Sequence, residues 1–289
     1  MKTRTGGYPI GFRMRGWTNN VSFEEVLRWT KENGLGGVEI GDNADTVGQQ
    51  VLDAGLWIGN AGLRNARRFL SPNAETRAAA LAENTAYIET CAALGPMTYF
   101  GVMIPEDPSL PRSENFGYMV ESFEKLAKVM EANNARYVIE GWPGPGALCC
   151  TPETYRAFFE AVPSPAMGIN YDPSHLIRMG INPIRFLKEF VNRVYHVHGK
   201  DTEILADNVY EYGTEQPGTF VKAKPFGGYA WRYTIPGHGL TPWCEVFHIL
   251  EENGYQGRVC IELEDMNFND GGAEEQAGTL HAARYLTSV

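Results

Sequence analysis

Residues 32–40 read ENGLGGVEI, and residues 252–261 repeat the pattern as ENGYQGRVCI. In both stretches an Asn-Gly pair, which is typical of a helix end, is followed by a short apolar run rich in β-branched residues. Segments with a helical pattern also end at Gly55, Gly95 and Asn134, and each is followed by such a run. The sequence therefore predicts a repeated unit in which a strand begins a few residues after a helix ends.

Eight strands and eight amphipathic helices are predicted to alternate along the chain. The strands are expected at residues 9–12, 37–41, 57–59, 97–103, 136–140, 166–172, 194–198 and 258–262. The helices are expected at residues 22–34, 45–54, 74–94, 114–133, 152–161, 182–192, 240–253 and 272–287. Apolar runs separated by helices are typical of parallel strands that are buried on both faces. Eight such units in 289 residues favour an α/β fold of the (β/α)8, or TIM, barrel class; an open doubly wound sheet is the alternative.

One long segment, residues 201–239, follows the seventh strand and carries no predicted helix or strand. We expect it to be a loop within a single barrel domain that covers residues 1–289. Loops of this length are usually either functional or disordered, and the seven aromatic residues of this one argue against disorder. Because it leaves the carboxyl end of a strand, it should lie over the barrel mouth, where barrel active sites are found.

The composition excludes several classes of protein. The chain has 25 Lys and Arg against 35 Asp and Glu, and this net charge of −10 disfavours nucleic acid or an anionic membrane as a partner. No run of 18 apolar residues occurs, the N-terminus is too polar for a signal peptide, and the five cysteines show no CxxC spacing. We expect a reduced, cytoplasmic protein that takes a neutral or metal-chelating small molecule. A homo-oligomer is the expected assembly.

Four polar residues fall at or near the carboxyl ends of predicted strands: Glu140, Asp172, His198 and Glu262. A carboxylate at such a position must be paired, protonated or metal-bound, because burying a lone charge is costly. Taken singly, a residue of this kind is more often an ion-pair partner or a loop-ordering acceptor than a metal ligand. Together, on four consecutive strands, they predict a site for one divalent metal ion. Mn²⁺ is the most favoured metal, and Mg²⁺, Co²⁺ or Zn²⁺ would also suit these ligands.

Two further histidines and two charged residues lie close to this set in the sequence. His175 could contact a substrate hydroxyl, bind the metal or simply open a helix. His196 precedes His198 by two residues and so faces the same side of the strand. Lys200 is either a substrate contact or an ion-pair partner at the rim, and Asp201 is a candidate acceptor that orients a ligating imidazole.

Tryptophans, arginines and one more histidine complete the candidate substrate site. Tryptophan rings can stack on sugar faces, although they lie as often in the core, and arginines such as Arg13 and Arg15 can bind anionic or hydroxyl groups. The predicted substrate contacts are Trp17, Trp142, His196, Lys200, Arg232 and His238. No GxGxxG, GxxxxGK[ST], GxSxG or HExxH motif is present, so dinucleotide, P-loop, serine-hydrolase and zincin chemistries lack support.

Five short stretches resemble the xylose-isomerase-like barrel superfamily, the group of sugar phosphate isomerases and epimerases. They are VIEG (138–141), YDPSHL (171–176), HVHGKD (196–201), IPGHG (235–239) and IELED (261–265). The resemblance implies a divalent metal held by Glu140, Asp172, His198 and Glu262, with His175 near the substrate. In ketose 3-epimerases of this group the two glutamates also act as acid and base.

Two features of the chain depart from those epimerases. The arginine that they place shortly after the ligating histidine is not evident here, where Lys200 and Asp201 stand instead. The segment WRYTIPG (231–237) is more similar to relatives that act on 3-oxo-glucosides. Endonuclease IV is similar in fold, but its three-zinc site contains more histidines, and the acidic composition here disfavours a DNA substrate.

These features predict a divalent-metal-dependent carbohydrate isomerase or epimerase. Glu140 and Glu262 would exchange a proton next to a ketone through a metal-stabilised enediolate. The alternative is a 3-oxo-glycoside lyase or deglycosidase, which cleaves C- or O-glycosides through the same enolate, with His175, His196 or His238 as acid or base. A third hypothesis is a non-catalytic sugar-binding barrel.

Overall fold

The computed structural model describes residues 1–289 and contains a closed barrel of eight parallel strands. The barrel strands are β1 (Ile10–Arg13), β2 (Gly37–Ile40), β3 (Trp57–Gly62), β4 (Thr98–Val102), β5 (Arg136–Glu140), β6 (Met167–Tyr171), β7 (Val194–Gly199) and β10 (Val259–Ile261). Around the barrel the order is β1, β10, β7, β6, β5, β4, β3, β2. The predicted barrel is therefore confirmed, and the open sheet is excluded because β1 pairs with β10.

All eight predicted helices are present, with bounds that differ by a few residues. They are α1 (Phe23–Glu32), α2 (Ala44–Asp53), α3 (Ala74–Cys91), α4 (Arg112–Ala132), α5 (Pro152–Ala161), α7 (Pro183–Phe190), α9 (Trp243–Glu252) and α10 (Ala273–Leu286). Two more short helices, α6 (Pro173–Arg178) and α8 (Ala206–Tyr212), were not predicted. None of the helices is both long and apolar enough to cross a bilayer.

The local signals in the sequence act as expected. The Ser22 hydroxyl accepts a hydrogen bond from the backbone N–H of Glu25, and the Glu25 carboxylate accepts one from the backbone N–H of Ser22. This capping box begins α1. Gly34 and Gly254, in the two stretches that repeat, both have positive φ angles, of 72° and 70°. A side chain would strain this conformation, so glycine is favoured where helices α1 and α9 end.

By its internal contacts the chain divides into two units. The first comprises residues 1–37, 172–191 and 197–289, and it contains β1, β10, the last residues of β7 and helices α1 and α6–α10. The second comprises residues 38–171 and 192–196, and it contains β2 to β6, the first residues of β7 and helices α2 to α5.

The segment 201–239 is more ordered than the expected loop. It contains α8 and a two-stranded antiparallel sheet of β8 (Asp201–Ile204) and β9 (Trp231–Thr234). In the register of this hairpin, Asp201 pairs with Thr234 and Thr202 pairs with Tyr233. The short strands escaped prediction because their partners lie about 30 residues apart, so no local turn signal marks a hairpin.

Asp201 holds the two ends of this segment together. Its Oδ1 atom accepts hydrogen bonds from the Thr202 N–H (2.9 Å), the Thr241 N–H (2.9 Å) and the Thr241 hydroxyl (2.7 Å). Its Oδ2 atom accepts from the Gly237 N–H (3.3 Å) and the Trp243 Nε1–H (3.2 Å). Burial raises the pKa of Asp201, and these hydrogen bonds oppose that rise. The structure thus makes Asp201 a loop-ordering acceptor, where we expected it to orient an imidazole.

Candidate metal centre

The four predicted metal ligands all lie at or near the carboxyl ends of barrel strands. Glu140 is the last residue of β5 and His198 the fifth residue of β7. Asp172 follows β6 and caps α6 by accepting hydrogen bonds from the Ser174 N–H (2.9 Å) and hydroxyl (2.6 Å). Glu262 follows β10. All four side chains are buried, with exposures of 0–6%.

The four side chains converge on one point. One ligand atom from each of Glu140, Asp172, His198 and Glu262 lies within 4.8 Å of every other. His198 Nδ1 is 3.4 Å from Glu262 Oε2 and 3.8 Å from Asp172 Oδ2. Atoms that bind one cation at roughly 2.0–2.2 Å lie at most about 4.4 Å apart, so small adjustments would suffice. Three carboxylates and one imidazole therefore fit a divalent metal such as Mn²⁺, Mg²⁺, Co²⁺ or Zn²⁺.

Lys200 is a buried member of this cluster. Its Nζ atom is 3.1 Å from Asp172 Oδ2 and 3.1 Å from Glu264 Oε2, and it also donates to Glu262. Burial alone would raise the pKa of Glu262, but the ammonium group of Lys200 and the neighbouring imidazole of His198 hold that pKa well below its usual range. Burial opposes ionisation of Asp172 as well, and His175 and Lys200 outweigh it and lower the pKa of Asp172. Both carboxyl groups are therefore held as carboxylates.

Two arginines of β1 and the loop after it approach the same glutamates. Arg13 Nε lies 3.2 Å from Glu262 Oε1, and Arg15 Nη1 lies 2.6 Å from Glu264 Oε1. Both arginines line a small cavity of about 110 Å³, together with Phe12, Trp17 and Phe226. Trp17 itself is buried and stacks on Phe12 with 6.1 Å between ring centroids. The predicted stacking residue Trp17 thus belongs to an aromatic cluster that forms one wall of this cavity.

His175 makes contacts on both sides of its ring. Its Nε2 atom is 3.3 Å from Asp172 Oδ2 and 3.4 Å from Lys200 Nζ. Its Nδ1 atom is 2.7 Å from the hydroxyl oxygen of Tyr233, which also accepts a hydrogen bond from Arg178 at 2.6 Å. Sequence reasoning did not select Tyr233, Arg178 or Glu264 as site residues. The alternation of β9, which puts Trp231 and Tyr233 on one face, could have indicated Tyr233.

His196 lies beside an acidic residue of another barrel strand. Its Nε2 atom is 2.6 Å from Glu39 Oε1, and both side chains are buried. Glu39, His196 and His198 also place ligand atoms within 4.8 Å of one another. The structure therefore pairs His196, a predicted substrate contact, with an acidic side chain of the same protein.

Three other predicted substrate contacts have different neighbours. Arg232 pairs with Glu203 (2.7 Å) and Asp265 (3.1 Å), and His238 is exposed. Trp142 is half-buried in the loop after β5, where its ring packs closely on Gly144. None of the three is hydrogen-bonded or ion-paired to a predicted metal ligand, so their role in binding stays a prediction.

The fold and this site define the family of the chain. The model of the xylose isomerase-like TIM barrel family matches residues 27–289, and the chain belongs to this family. An inosose dehydratase from Clostridium beijerinckii is 26% identical over 283 residues, which cover 91% of this chain and 90% of that protein. Against the first two curated relatives, the matched region spans only about half the length of each.

Solved structures of other proteins share this fold. The apo 3-keto-D-glucoside 4-epimerase from E. coli superposes with a TM-score of 0.70 over 98% of this chain and 100% of its own, at 17% identity. The IOLI protein, solved with a zinc atom, superposes with a TM-score of 0.68 over 96% of both chains, at 18% identity. At such identities the likeness shows the fold alone.

Proposed function

We propose that this protein is a divalent-metal-dependent enzyme that transfers a proton at the carbon next to a ketone in a sugar or a related polyhydroxylated ring. The observation that carries the proposal is the convergence of Glu140, Asp172, His198 and Glu262 at one buried point. The relative named inosose dehydratase and the structural neighbour named 3-keto-D-glucoside 4-epimerase support a substrate of this kind. The predictions of Mn²⁺ as the metal, of a homo-oligomer and of a cytoplasmic location are retained.

A divalent cation held by the four ligands would polarise the ketone oxygen and stabilise the negative charge that develops there. The chain's own residues supply the proton transfer. Asn170 donates a hydrogen bond of 2.8 Å to Glu140 Oε2 and so fixes the direction of that carboxylate. Glu262 is fixed by Lys200 and Arg13. Glu140 and Glu262 come from different strands, and an epimerase needs one such group on each face of the reacting carbon, whereas an isomerase can use a single one.

A second outcome of the same enolate is elimination, as in a dehydratase or a 3-oxo-glycoside lyase. This outcome needs a proton donor near the leaving group in addition to one carboxylate base. Lys200 Nζ and His175 Nε2, 3.4 Å apart, are two nitrogen atoms that can carry such a proton. This observation, with the relative named inosose dehydratase, favours elimination as the second candidate function.

The experiment that separates these outcomes follows the substrate in D₂O. Purified protein with added Mn²⁺ is incubated with inosose or with 3-keto-glucosides, and the products are analysed by NMR. Deuterium next to the ketone, with an inverted stereocentre at that carbon or a relocated carbonyl, indicates epimerase or isomerase activity. Release of water or of the C1 substituent indicates elimination.

Two variants and one control test the assignment of roles. Glu140→Gln and Glu262→Gln should each remove the solvent exchange, whereas Glu124→Gln on the exposed face of α4 should leave it unchanged. Full exchange in both of the first two variants would contradict the proposed chemistry.

A further inference from the structure

A chain of three hydrogen-bonding side chains leads from Arg178, at the end of α6, to the candidate metal centre. Arg178, half-buried at the end of α6, donates from Nη1 to the hydroxyl of Tyr233 at 2.6 Å. The same hydroxyl lies 2.7 Å from His175 Nδ1. The opposite nitrogen of His175, Nε2, faces Asp172 Oδ2 at 3.3 Å. His175 and Tyr233 are both buried.

Local structure explains why these three side chains meet. His175 and Arg178 are three residues apart in α6 and so lie on the same helix face. Tyr233 reaches them from β9, where its ring packs edge-on against the His175 ring with 5.3 Å between centroids. The Arg178 guanidinium also lies over the Trp231 ring, 4.3 Å from its centroid. The hairpin of β8 and β9 thus holds the phenol against the imidazole.

The direction of each hydrogen bond follows from which groups can donate. An arginine can only donate, so the Tyr233 oxygen accepts the bond from Arg178. The Tyr233 hydroxyl carries one proton, and His175 Nδ1 is its only other hydrogen-bond partner in the structure. If Nδ1 carried a proton, the phenol oxygen would receive two donors and its own buried proton would have no acceptor. The phenol therefore donates to a lone pair on Nδ1.

We propose that Arg178 and Tyr233 are positioning residues that fix His175 as the tautomer protonated on Nε2, so that His175 presents an N–H to the active site. A neutral imidazole has one donor and one acceptor nitrogen, so an acceptor at Nδ1 leaves the proton on Nε2. The Nε2–H group then faces Asp172 Oδ2. Lys200 Nζ lies 3.4 Å from Nε2, but its three protons have acceptors in Asp172, Glu262 and Glu264, so Nε2 need not accept one. At Nε2, His175 can give a hydrogen bond to a substrate oxygen but cannot accept one. Its role as a hydrogen-bond donor, and not a base, rests on the proposed function.

The tautomer is measured by NMR without any substrate. Protein labelled with ¹⁵N-histidine and loaded with Mg²⁺ is observed at pH 8, and the His175 signals among the six histidines are assigned with His175→Gln. The expected spectrum shows one neutral form in which Nε2 carries the proton and Nδ1 is the acceptor. A proton on Nδ1, or two forms in fast exchange, would overturn the inference. Neither result decides whether the proposed ketone chemistry occurs, which the D₂O experiment tests separately.

Two variants show whether Tyr233 and Arg178 position His175 or only stabilise the fold. Tyr233→Phe removes the donor to Nδ1, and Arg178→Met removes the donor that orients the phenol. In each, the His175 signals should shift toward a mixture of tautomers, most strongly for Tyr233→Phe. Tyr210→Phe, at a tyrosine that is 91% exposed, is the matched control and should leave them unchanged. His175 signals identical to wild type in folded Tyr233→Phe and Arg178→Met would overturn the inference.

The kinetic consequence gives a second readout. With a substrate found in the D₂O screen, Tyr233→Phe should lower kcat by about 10-fold to 100-fold and change KM less than about 3-fold, because a positioned hydrogen-bond donor acts mainly on the transition state. An unchanged kcat, or an effect on KM alone, would count against a positioning role for Tyr233.

Discussion

Replacement of Asp201 should be among the most destabilising single substitutions in this chain. Asp201→Ala removes the acceptor for five donors, of which the Thr202 N–H and the N–H and hydroxyl of Thr241 make bonds of 2.7–2.9 Å. A buried donor without an acceptor costs about 1–3 kcal/mol, and the costs of neighbours are not additive. We therefore expect a loss of about 4 kcal/mol in the free energy of unfolding.

Asp201→Asn should be milder, because its amide oxygen can still accept the three short bonds. Its amide nitrogen would face the donors from Gly237 and Trp243, whose bonds are the longer ones at 3.3 and 3.2 Å. The loss of two weak bonds predicts about 2 kcal/mol. Asp207→Asn, at an exposed position of α8, is the matched control and should stay within about 0.5 kcal/mol of wild type.

Urea unfolding and thermal melts of the four proteins measure these differences. At about 2 °C or more per kcal/mol, Asp201→Ala should melt at least about 8 °C below wild type. Equal stabilities of Asp201→Ala and Asp207→Asn would refute the view that one carboxylate ties the two ends of the segment 201–239 together.

Three other substitutions test separate parts of the structure. Glu140→Gln should lower turnover by about 100-fold or more, since a positioned acid or base contributes about 10²–10⁴-fold, and steady-state kinetics on the substrate found in the D₂O screen checks it. Glu39→Gln weakens the buried contact with His196 and should cost about 1–3 kcal/mol in urea unfolding, so an unchanged midpoint would contradict the role of that pair. Gly227→Ala would place a Cβ atom 2.6 Å from the carbonyl oxygen of Trp231 and should lower the melting temperature, whereas Gly117→Ala in α4 meets no atom within 4 Å and should raise stability by about 0.5–1 kcal/mol.

The barrel and the predicted metal ligands followed from local patterns. A helix that ends at Gly34 or Gly254 and a strand that begins nearby can be recognised within about ten residues. The carboxyl end of a parallel strand is also a local position, and in a barrel all such ends meet at one rim. This geometry explains why Glu140 and Glu262, which are far apart in the sequence, could be predicted to converge.

The partners of those residues could not be predicted in the same way. Tyr233 meets His175 across 58 residues, and Glu39 meets His196 across 157. Such pairs depend on the strand order and on the hairpin of β8 and β9. No turn motif in the sequence indicates that hairpin. The burial of Lys200 also depends on tertiary structure, because the three carboxylates that stabilise its ammonium group come from other parts of the chain.

The central claim is that Glu140, Asp172, His198 and Glu262 together hold one divalent metal ion. The most direct test is a titration of the wild-type protein and of Asp172→Asn with Mn²⁺, followed by elemental analysis after gel filtration. We predict about one Mn²⁺ per wild-type chain and at least about 10-fold weaker binding in the variant. No bound metal in wild type, or equal binding in the two proteins, would contradict the claim.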